Sequence, residues 1–211
     1  MNPREWYGCG IRLLGRTAVE CTRDVLADRI ARDIASFARC MSSDRLVVID
    51  PFAGSCNTLF WILRHLPRSK GIAFESDKQV FELTLRNLAA LSNAIELVYG
   101  DWAGLLAECR AENRGVIVFI APPWGTALDE EEGLDLCRTT PPIAKTVGEV
   151  VQRFLKNQIL IAIQVYEKVS APSLSQIRAM LDWSESRIYD INQRGNNHGI
   201  LLGTKHWAPT H

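Results

Sequence analysis

The stretch VIVFIAPPWGTAL, residues 116–128, contains the feature that decides the fold of this chain. An uninterrupted apolar run is typical of a strand that is buried on both faces, as in a parallel sheet covered by helices. Pro122 and Pro123 end the strand because proline has no backbone N–H to donate to a sheet. Trp124 follows at once, so the strand ends in a stiff turn that carries a large flat ring.

Apolar strands alternate with helical patterns on both sides of this stretch. Strands are predicted over residues 45–50, 71–75, 95–101, 115–121 and 158–165, and helices over about 18–41, 55–66, 77–91, 143–157 and 173–183, with a short helix after Trp102. Two closing strands, 186–192 and 199–204, have no helix between them and should form an antiparallel hairpin. The pattern predicts an α/β fold with a seven-stranded, mostly parallel sheet and helices on both faces.

Composition narrows the class of protein. The chain has 211 residues, enough for a single domain with a sizeable core, and its 47% hydrophobic and 23% charged residues are ordinary for a globular protein. Lys plus Arg equals Asp plus Glu at 24 each, so the overall charge does not indicate a polyanion partner. The N-terminus lacks an apolar signal core and no run is long enough to span a membrane, so we expect a cytoplasmic protein.

Cysteine spacing argues against a metal centre. The six cysteines contain no CxxC pair, so we expect neither a zinc site nor a redox dithiol, and buried or idle thiols are the better interpretation.

The first strand ends in DPFAGSCNT, residues 50–58, where a ligand could approach the backbone. Open α/β sheets bind ligands outside the carboxyl ends of their strands. Pro51 and Gly54 predict a tight turn, and the small residues beside Gly54 leave room for a ligand. The loop matches neither GxGxxG nor GxxxxGK[ST], so it does not indicate a phosphate-binding loop. An ordinary strand-to-helix turn is the alternative interpretation.

The next two strands end in acidic residues. Glu75 could accept hydrogen bonds from the two hydroxyls of a ribose, or could be a solvated cap. Asp101 could accept from an adenine amine while Trp102 lies along the base, or the pair could be a helix N-cap with a packed indole. Three successive strands that end in a Gly turn, Glu and Asp indicate an adenosine ligand.

The fourth strand ends in the turn Ala121-Pro122-Pro123-Trp124. The carbonyls of Ala121 and Pro122 have fixed directions and could accept from a substrate amine, and the ring of Trp124 could stack on a flat heterocycle. This combination suits methyl transfer to an amine on an aromatic ring, because the same acceptors stabilise the positive charge that develops on nitrogen. The alternative is a strand stopped by proline whose tryptophan belongs to the core.

Together these residues resemble a known group. IDPFAGSCNT, Glu75, GDW and APPWG are similar to motifs of class I S-adenosylmethionine-dependent methyltransferases. Residues 121–142 most resemble the trimethylguanosine synthase family, the RNA cap guanine 2-amino methyltransferases, whose Ser-Pro-Pro-Trp-Gly turn precedes a Phe-Asp-hydrophobic-Arg segment like Leu134–Arg138. The late NQRGNNHGILLGTKH also resembles the family's Asn-Asn turn into its last strand, and the resemblance spans roughly residues 18–205.

The resemblance implies a Rossmann-like fold, S-adenosyl-L-methionine as cofactor, S-adenosyl-L-homocysteine as product, and roles for particular residues. Pro122 would offer its carbonyl to the amine and Trp124 would stack on the base, while Asn196 and Asn197 would reach the substrate. Ala121 replaces the family's Ser, Asp or Asn and leaves only backbone acceptors. The implied cofactor-binding residues are Asp50, Pro51, Phe52, Ala53, Gly54, Asn57, Thr58, Glu75, Asp101 and Trp102.

Some functional alternatives stay open. The leading interpretation is a methyltransferase acting on an exocyclic amine of a heteroaromatic base, with guanine in RNA or a nucleotide as substrate. A small-molecule methyltransferase of the same fold, and a non-catalytic member that binds RNA or cofactor, are the alternatives.

Residues 1–43 are interpreted as a helical extension and 44–207 as the catalytic core of a single domain. His198 and His206 receive no role, and the acidic run 129–132 should lie beside the substrate mouth or form a solvated loop. The oligomeric state is left open.

Overall fold

The structure is a computed structural model that describes residues 10–91, 94–112, 114–129, 131–191 and 197–209. Within these residues, seven strands form the main sheet and two short strands form a separate hairpin. The main strands are β1 Leu46–Asp50, β2 Lys70–Glu75, β3 Ile95–Tyr99, β4 Gly115–Ile120, β7 Ile159–Tyr166, β8 Trp183–Tyr189 and β9 His198–Lys205, and the hairpin is β5 Leu128–Asp129 with β6 Gly133–Leu134.

The main sheet has the order β3-β2-β1-β4-β7-β9-β8. The five strands from β3 to β7 are parallel, while β9 runs antiparallel to both β7 and β8. The predicted α/β fold and its antiparallel closing hairpin are therefore confirmed. The strand order reverses between β1 and β4, which is where open α/β sheets place their ligands.

Helices cover both faces of the sheet. They are α1 Gly15–Glu20, α2 Asp24–Ala38, α3 Asn57–His65, α4 Lys78–Ala89, α5 Trp102–Glu108, α6 Ile143–Arg153 and α7 Ala171–Ala179. Helices α2 and α3 pack on the strand side chains of one face, among them Val48 and Phe119, whereas α5, α6 and α7 pack on the opposite set, among them Val47 and Val118. Each face takes alternate residues of a strand, as the pleat requires.

The helix expected over residues 18–41 is interrupted. The backbone is extended at Cys21 and Arg23, so the segment divides into α1 and α2. At the break, Thr22 makes two tertiary contacts: its carbonyl accepts from the Asn57 side chain, and its hydroxyl donates to Gln164 over 3.1 Å. Contacts made by the rest of the fold thus override the local helical pattern, and they bring residues 21–23 to the sheet edge where β1 and β7 end.

The segment 129–141 is not wholly irregular. Asp129 Oδ1 accepts from the backbone N–H groups of Glu131 and Glu132, each over 2.8 Å, and so shapes the turn between β5 and β6. Glu130 lies outside the described residues. Among the helices that the structure describes, none is long and apolar enough to cross a membrane.

Candidate active site

A cavity of about 930 Å³ opens at the carboxyl ends of the parallel strands. This volume lies near the upper end of the roughly 300–1,000 Å³ that small-molecule and cofactor pockets occupy. The thirteen residues of the first four strand ends that the sequence singles out all line it: Asp50, Pro51, Phe52, Ala53, Gly54, Asn57, Thr58, Glu75, Asp101, Trp102, Ala121, Pro122 and Trp124. Residues distant in sequence therefore share one crevice.

Asp50 is the most deeply buried carboxylate of the crevice. Only 3% of its surface is exposed, and Oδ1 accepts from the Phe52 backbone N–H over 3.0 Å. Burial, helped by the nearby charge of Glu75 and opposed by that hydrogen bond, raises the pKa of Asp50 to about 7. Ionisation of this buried carboxyl group lowers the stability of the free protein. A cationic ligand group would stabilise the ionised form, so Asp50 is suited to bind such a group.

Glu75 ties the β1 loop to the end of β2. One carboxylate oxygen accepts from the Gly54 N–H over 3.0 Å and the other from the Asp77 N–H over 2.7 Å. Gly54 has a φ of +50°, a conformation that glycine adopts without strain. Each carboxylate oxygen can accept more than one hydrogen bond, so Glu75 retains capacity for two hydroxyl donors.

Asp101 and Trp102 begin helix α5. Asp101 Oδ2 accepts from the N–H groups of Ala103 (3.0 Å) and Gly104 (3.4 Å), so the carboxylate does serve as an N-cap. The cap uses one oxygen and leaves Oδ1 facing no capping partner. The rings of Trp102 and Phe52 lie 5.7 Å apart at 51° and form an aromatic wall of the cavity. The capping and the ligand interpretations of Asp101 are therefore compatible.

Asn57 carries a buried acceptor that the protein does not use. Its side-chain Nδ2 donates to the Thr22 carbonyl, while Oδ1 is buried and has no hydrogen-bond partner among the described residues. A buried acceptor without a donor costs about 1–3 kcal/mol, and native structures contain few of them. A ligand donor in the cavity would satisfy it.

Cys56 is packed rather than reactive. It is fully buried, and burial together with the charges of Asp50 and Glu75 raises the pKa of its thiol well above the ordinary value. The thiol therefore stays protonated, which argues against a nucleophilic role and favours the packing interpretation.

The turn after β4 presents an aromatic corner. The Trp124 ring lies 5.0 Å from the His198 ring at 35° and 6.4 Å from the Tyr166 ring at 72°. Trp124 is half-buried and lines the cavity, so it is not sealed within the core. The ring contacts His198 and Tyr166 and still borders the crevice, where a flat ligand could stack on it.

His198 is the functional candidate that sequence reasoning overlooked. It lines the cavity, and burial, followed by the charge of Arg23, lowers the pKa of its imidazole, although Glu167 opposes the shift. The signal that could have found it is topological: β9 runs antiparallel, so its first residue lies beside Tyr166 at the carboxyl end of β7. His206 instead contacts the Asn157 carbonyl at an exposed position.

Of the predicted Asn-Asn pair, the structure describes only Asn197. Asn196 lies outside the described residues. Asn197 does not line the cavity: its N–H donates to Glu167 over 3.0 Å, and its side-chain oxygen accepts from the Ile191 N–H over 3.3 Å. It joins the two ends of the β8–β9 connection. Leu128 lines the cavity, but the described acidic residues of 129–132 do not.

The sequence matches a known family over most of its length. The family model for the RNA cap guanine-N2 methyltransferases matches residues 45–205. The chain belongs to this family. Like other class I methyltransferases, it takes its methyl group from S-adenosylmethionine. No curated protein has a significant sequence match to the chain.

Solved structures agree with this methyltransferase family at the level of fold. The METTL16 methyltransferase domain has a TM-score of 0.68 at 16% identity, covering 95% of this chain and 75% of that one. Precorrin-6y C5,15-methyltransferase from Geobacter metallireducens GS-15 scores 0.59 at 16% identity, covering 93% and 95%. An rRNA methylase from Streptococcus thermophilus scores 0.52 at 18% identity, covering 83% and 94%. At such identities the likeness shows the fold alone.

The crevice residues fit the methyl donor of the family. The unpartnered Asn57 Oδ1 and the Asp50 carboxylate are buried acceptors of the kind that an amino-acid ammonium needs. Among the described residues, no group of three or more His, Cys, Asp or Glu side chains could hold a metal ion.

Replacing Glu75 with glutamine should weaken cofactor binding by about tenfold, because the amide has one acceptor oxygen where the carboxylate has two charged ones. Glutamine keeps the size of the side chain and can still accept one of the two backbone N–H bonds. Isothermal titration with S-adenosylhomocysteine would measure the change. Glu82→Gln, at an exposed position of α4, is the matched control and should leave the affinity unchanged. Equal affinity of the Glu75 variant and the parent would remove Glu75 from the cofactor site.

Proposed function

We propose that the chain transfers a methyl group from S-adenosylmethionine to an exocyclic amine of a heteroaromatic base, with guanine in RNA or a nucleotide as the substrate. The observation that carries the proposal is that Trp124 and Pro122 border the same crevice as Asp50 and Glu75. A flat acceptor stacked on the indole would therefore share one enclosure with the methyl donor.

The roles of the turn residues follow from the chemistry of the amine. The cofactor supplies an electrophilic methyl group on its sulfonium. The carbonyls of Ala121 and Pro122 are the proposed acceptors for the amine N–H groups, and they would stabilise the positive charge that builds on nitrogen. A strong general base is unnecessary because the proton can leave to water after transfer.

The residues of the crevice can be assigned to the separate parts of S-adenosylmethionine. We propose that Asp50 and Asn57 accept from the ammonium, that Glu75 accepts from the ribose hydroxyls, and that Asp101 Oδ1 accepts from the adenine amine beside Trp102. Pro51, Phe52, Ala53, Gly54 and Thr58 complete the proposed cofactor wall. Asn197 is left out of the proposed site because its hydrogen bonds go to Glu167 and Ile191.

The same proposal treats the chain as a single methyltransferase domain. Residues 1–43 would be its helical extension and 44–207 its catalytic core. Helix α2 supports a tight association of the two parts, since Ile30, Ile34 and Phe37 belong to the same hydrophobic cluster as the β-strands of that face. Cys21, Thr22 and Arg23 also border the cavity, so the extension would contribute to the active site.

The test is a transfer assay with defined acceptors. The protein would be incubated with tritiated S-adenosylmethionine and capped RNA, uncapped RNA, or free guanine nucleotides, and the product nucleosides would be identified by mass spectrometry. We expect methyl groups on the exocyclic amine of guanine. Methylation of ring nitrogens, ribose or another base only would contradict the proposal.

Two alternatives predict other outcomes of this assay. Transfer only to free metabolites would favour a small-molecule methyltransferase, for which the balanced charge of the chain is the supporting observation. Binding of S-adenosylhomocysteine without any transfer would favour a non-catalytic binding protein, which Ala121 supports because it lacks the polar side chain that the resemblance leads us to expect there.

A further inference from the structure

A chain of hydrogen bonds crosses the crevice from the break between α1 and α2 to the aromatic corner. The Thr22 hydroxyl donates to Gln164 Oε1 over 3.1 Å, and Gln164 Nε2 lies 3.4 Å from His198 Nδ1. The His198 ring in turn contacts the Trp124 ring. All four residues line the cavity.

This chain determines where His198 carries its proton. With Gln164 Oε1 accepting from Thr22, its NH₂ group faces His198 Nδ1, and this arrangement makes Nδ1 the acceptor. In a neutral imidazole the proton then resides on Nε2. Nε2 is then the donating nitrogen of a ring that lines the cavity, and the accepting nitrogen is occupied by Gln164.

The surroundings keep the imidazole neutral. Tyr166 and Trp124 pack against the ring from β7 and from the turn after β4. The charged groups that act on it are Arg23, from the break between the helices, and Glu167, from the end of β7; burial and Arg23 outweigh Glu167 and lower the pKa of His198.

We propose that His198 is a specificity residue that donates a hydrogen bond from Nε2 to an acceptor on the edge of the base stacked against Trp124. Gln164 and Thr22 are the positioning residues that fix this donor. The acceptor is O6: N7 accepts in both guanine and adenine, whereas adenine carries a donating amino group where guanine carries O6, so a donor directed at O6 selects an oxo-purine over an amino-purine. This inference rests on the proposed transfer to a base amine and adds the group that recognises the base.

The first test measures the tautomer in the free protein and needs no substrate. Ring ¹⁵N–¹H correlation spectra should show the proton of His198 on Nε2, with the signal assigned by its loss in His198→Phe. Gln164→Leu, which cannot hydrogen-bond, should move part of the tautomer population to Nδ1–H. A proton on Nδ1 in the parent protein would overturn the proposal, because the donor would then face Gln164.

The second test compares a guanine nucleotide with a 2-aminopurine nucleotide, which keeps the exocyclic amine but lacks the 6-oxo group. The parent protein should have a lower KM for the guanine nucleotide. His198→Phe keeps a flat ring beside Trp124 but removes the donor, so it should raise that KM by about 2- to 10-fold and lose the preference, with kcat and the Kd for S-adenosylhomocysteine nearly unchanged.

Thr22 supplies the matched pair of variants. Thr22→Val removes the hydroxyl but keeps the carbonyl that accepts from Asn57, and should shift KM in the same direction as His198→Phe; Thr22→Ser should restore it. If the parent methylates guanine neither in RNA nor in a nucleotide, the proposed function fails. If the parent methylates guanine and His198→Phe retains the full preference, the role of His198 alone is wrong.

Discussion

Trp124→Ala is expected to reduce kcat/KM for methyl transfer by about 5- to 150-fold, since stacking a base on an aromatic ring contributes about 1–3 kcal/mol. The affinity for S-adenosylhomocysteine should hardly change, because the proposed cofactor contacts come from the ends of β1, β2 and β3. Steady-state kinetics on the guanine substrate and titration with S-adenosylhomocysteine would measure the two quantities separately.

Trp124→Phe is the matched control because phenylalanine preserves a stacking surface, and it should recover most of the activity. Thermal unfolding should show that both variants fold. If Trp124→Ala fails to fold, Trp124→Leu takes its place, since leucine fills apolar space without a flat ring; a folded Trp124→Leu protein with full activity would show that the indole is a packing residue and that the stacking role is wrong. Unchanged kinetics in a folded Trp124→Ala protein would contradict the account equally.

Asp50→Asn is expected to weaken cofactor binding by about 10- to 150-fold, because a hydrogen bond to a charged group contributes about 1.5–3 kcal/mol. The same variant should be at least as stable as the parent at neutral pH. An asparagine Oδ1 can still accept from the Phe52 N–H, and the variant has no charge to bury. Thermal unfolding should show equal or higher stability, and titration with S-adenosylhomocysteine should show weaker binding.

The pH dependence of Asp50 has a definite sign. Its pKa is about 7 in the folded protein against 3.8 for the exposed group, so between these values the folded state holds a proton that the unfolded state has released. The stabilisation from Asp50 is thus present at low pH and is lost as the pH rises through about 7. The stability of Asp50→Asn relative to the parent should be higher at about pH 8 than at about pH 5. A constant difference would contradict the raised pKa.

Binding of the cofactor should show the complementary dependence. The carboxylate form accepts from the ammonium, so the parent should bind S-adenosylhomocysteine more weakly as the pH falls below about 7. Asp50→Asn should lack this dependence.

The strands were readable from sequence because burial on both faces leaves unbroken apolar runs. Residues 115–121 predicted β4, and the observed strand Gly115–Ile120 differs by a single residue. The strand ends were readable as well, because parallel strands place their carboxyl ends at the same edge of a sheet. The sequence alone therefore groups Asp50, Glu75 and Asp101.

Features that depend on contacts between distant segments could not be predicted from the sequence. The interruption at residues 21–23 is held by Asn57 and Gln164, and nothing in the local helical pattern reveals partners so far along the chain. The place of His198 depends on the insertion of β9 between β7 and β8. The hydrogen bonds of Asn197 also join distant segments: its partners are Glu167, after β7, and Ile191, after β8.

A crystal structure with S-adenosylhomocysteine and a guanine nucleotide would test the central claim most directly. The account predicts the ribose hydroxyls on Glu75, the ammonium near Asp50 and Asn57, and the guanine ring stacked on Trp124 with its amine directed at the Pro122 carbonyl. A cofactor bound away from the ends of β1 and β2, or a guanine that leaves Trp124 untouched, would contradict it.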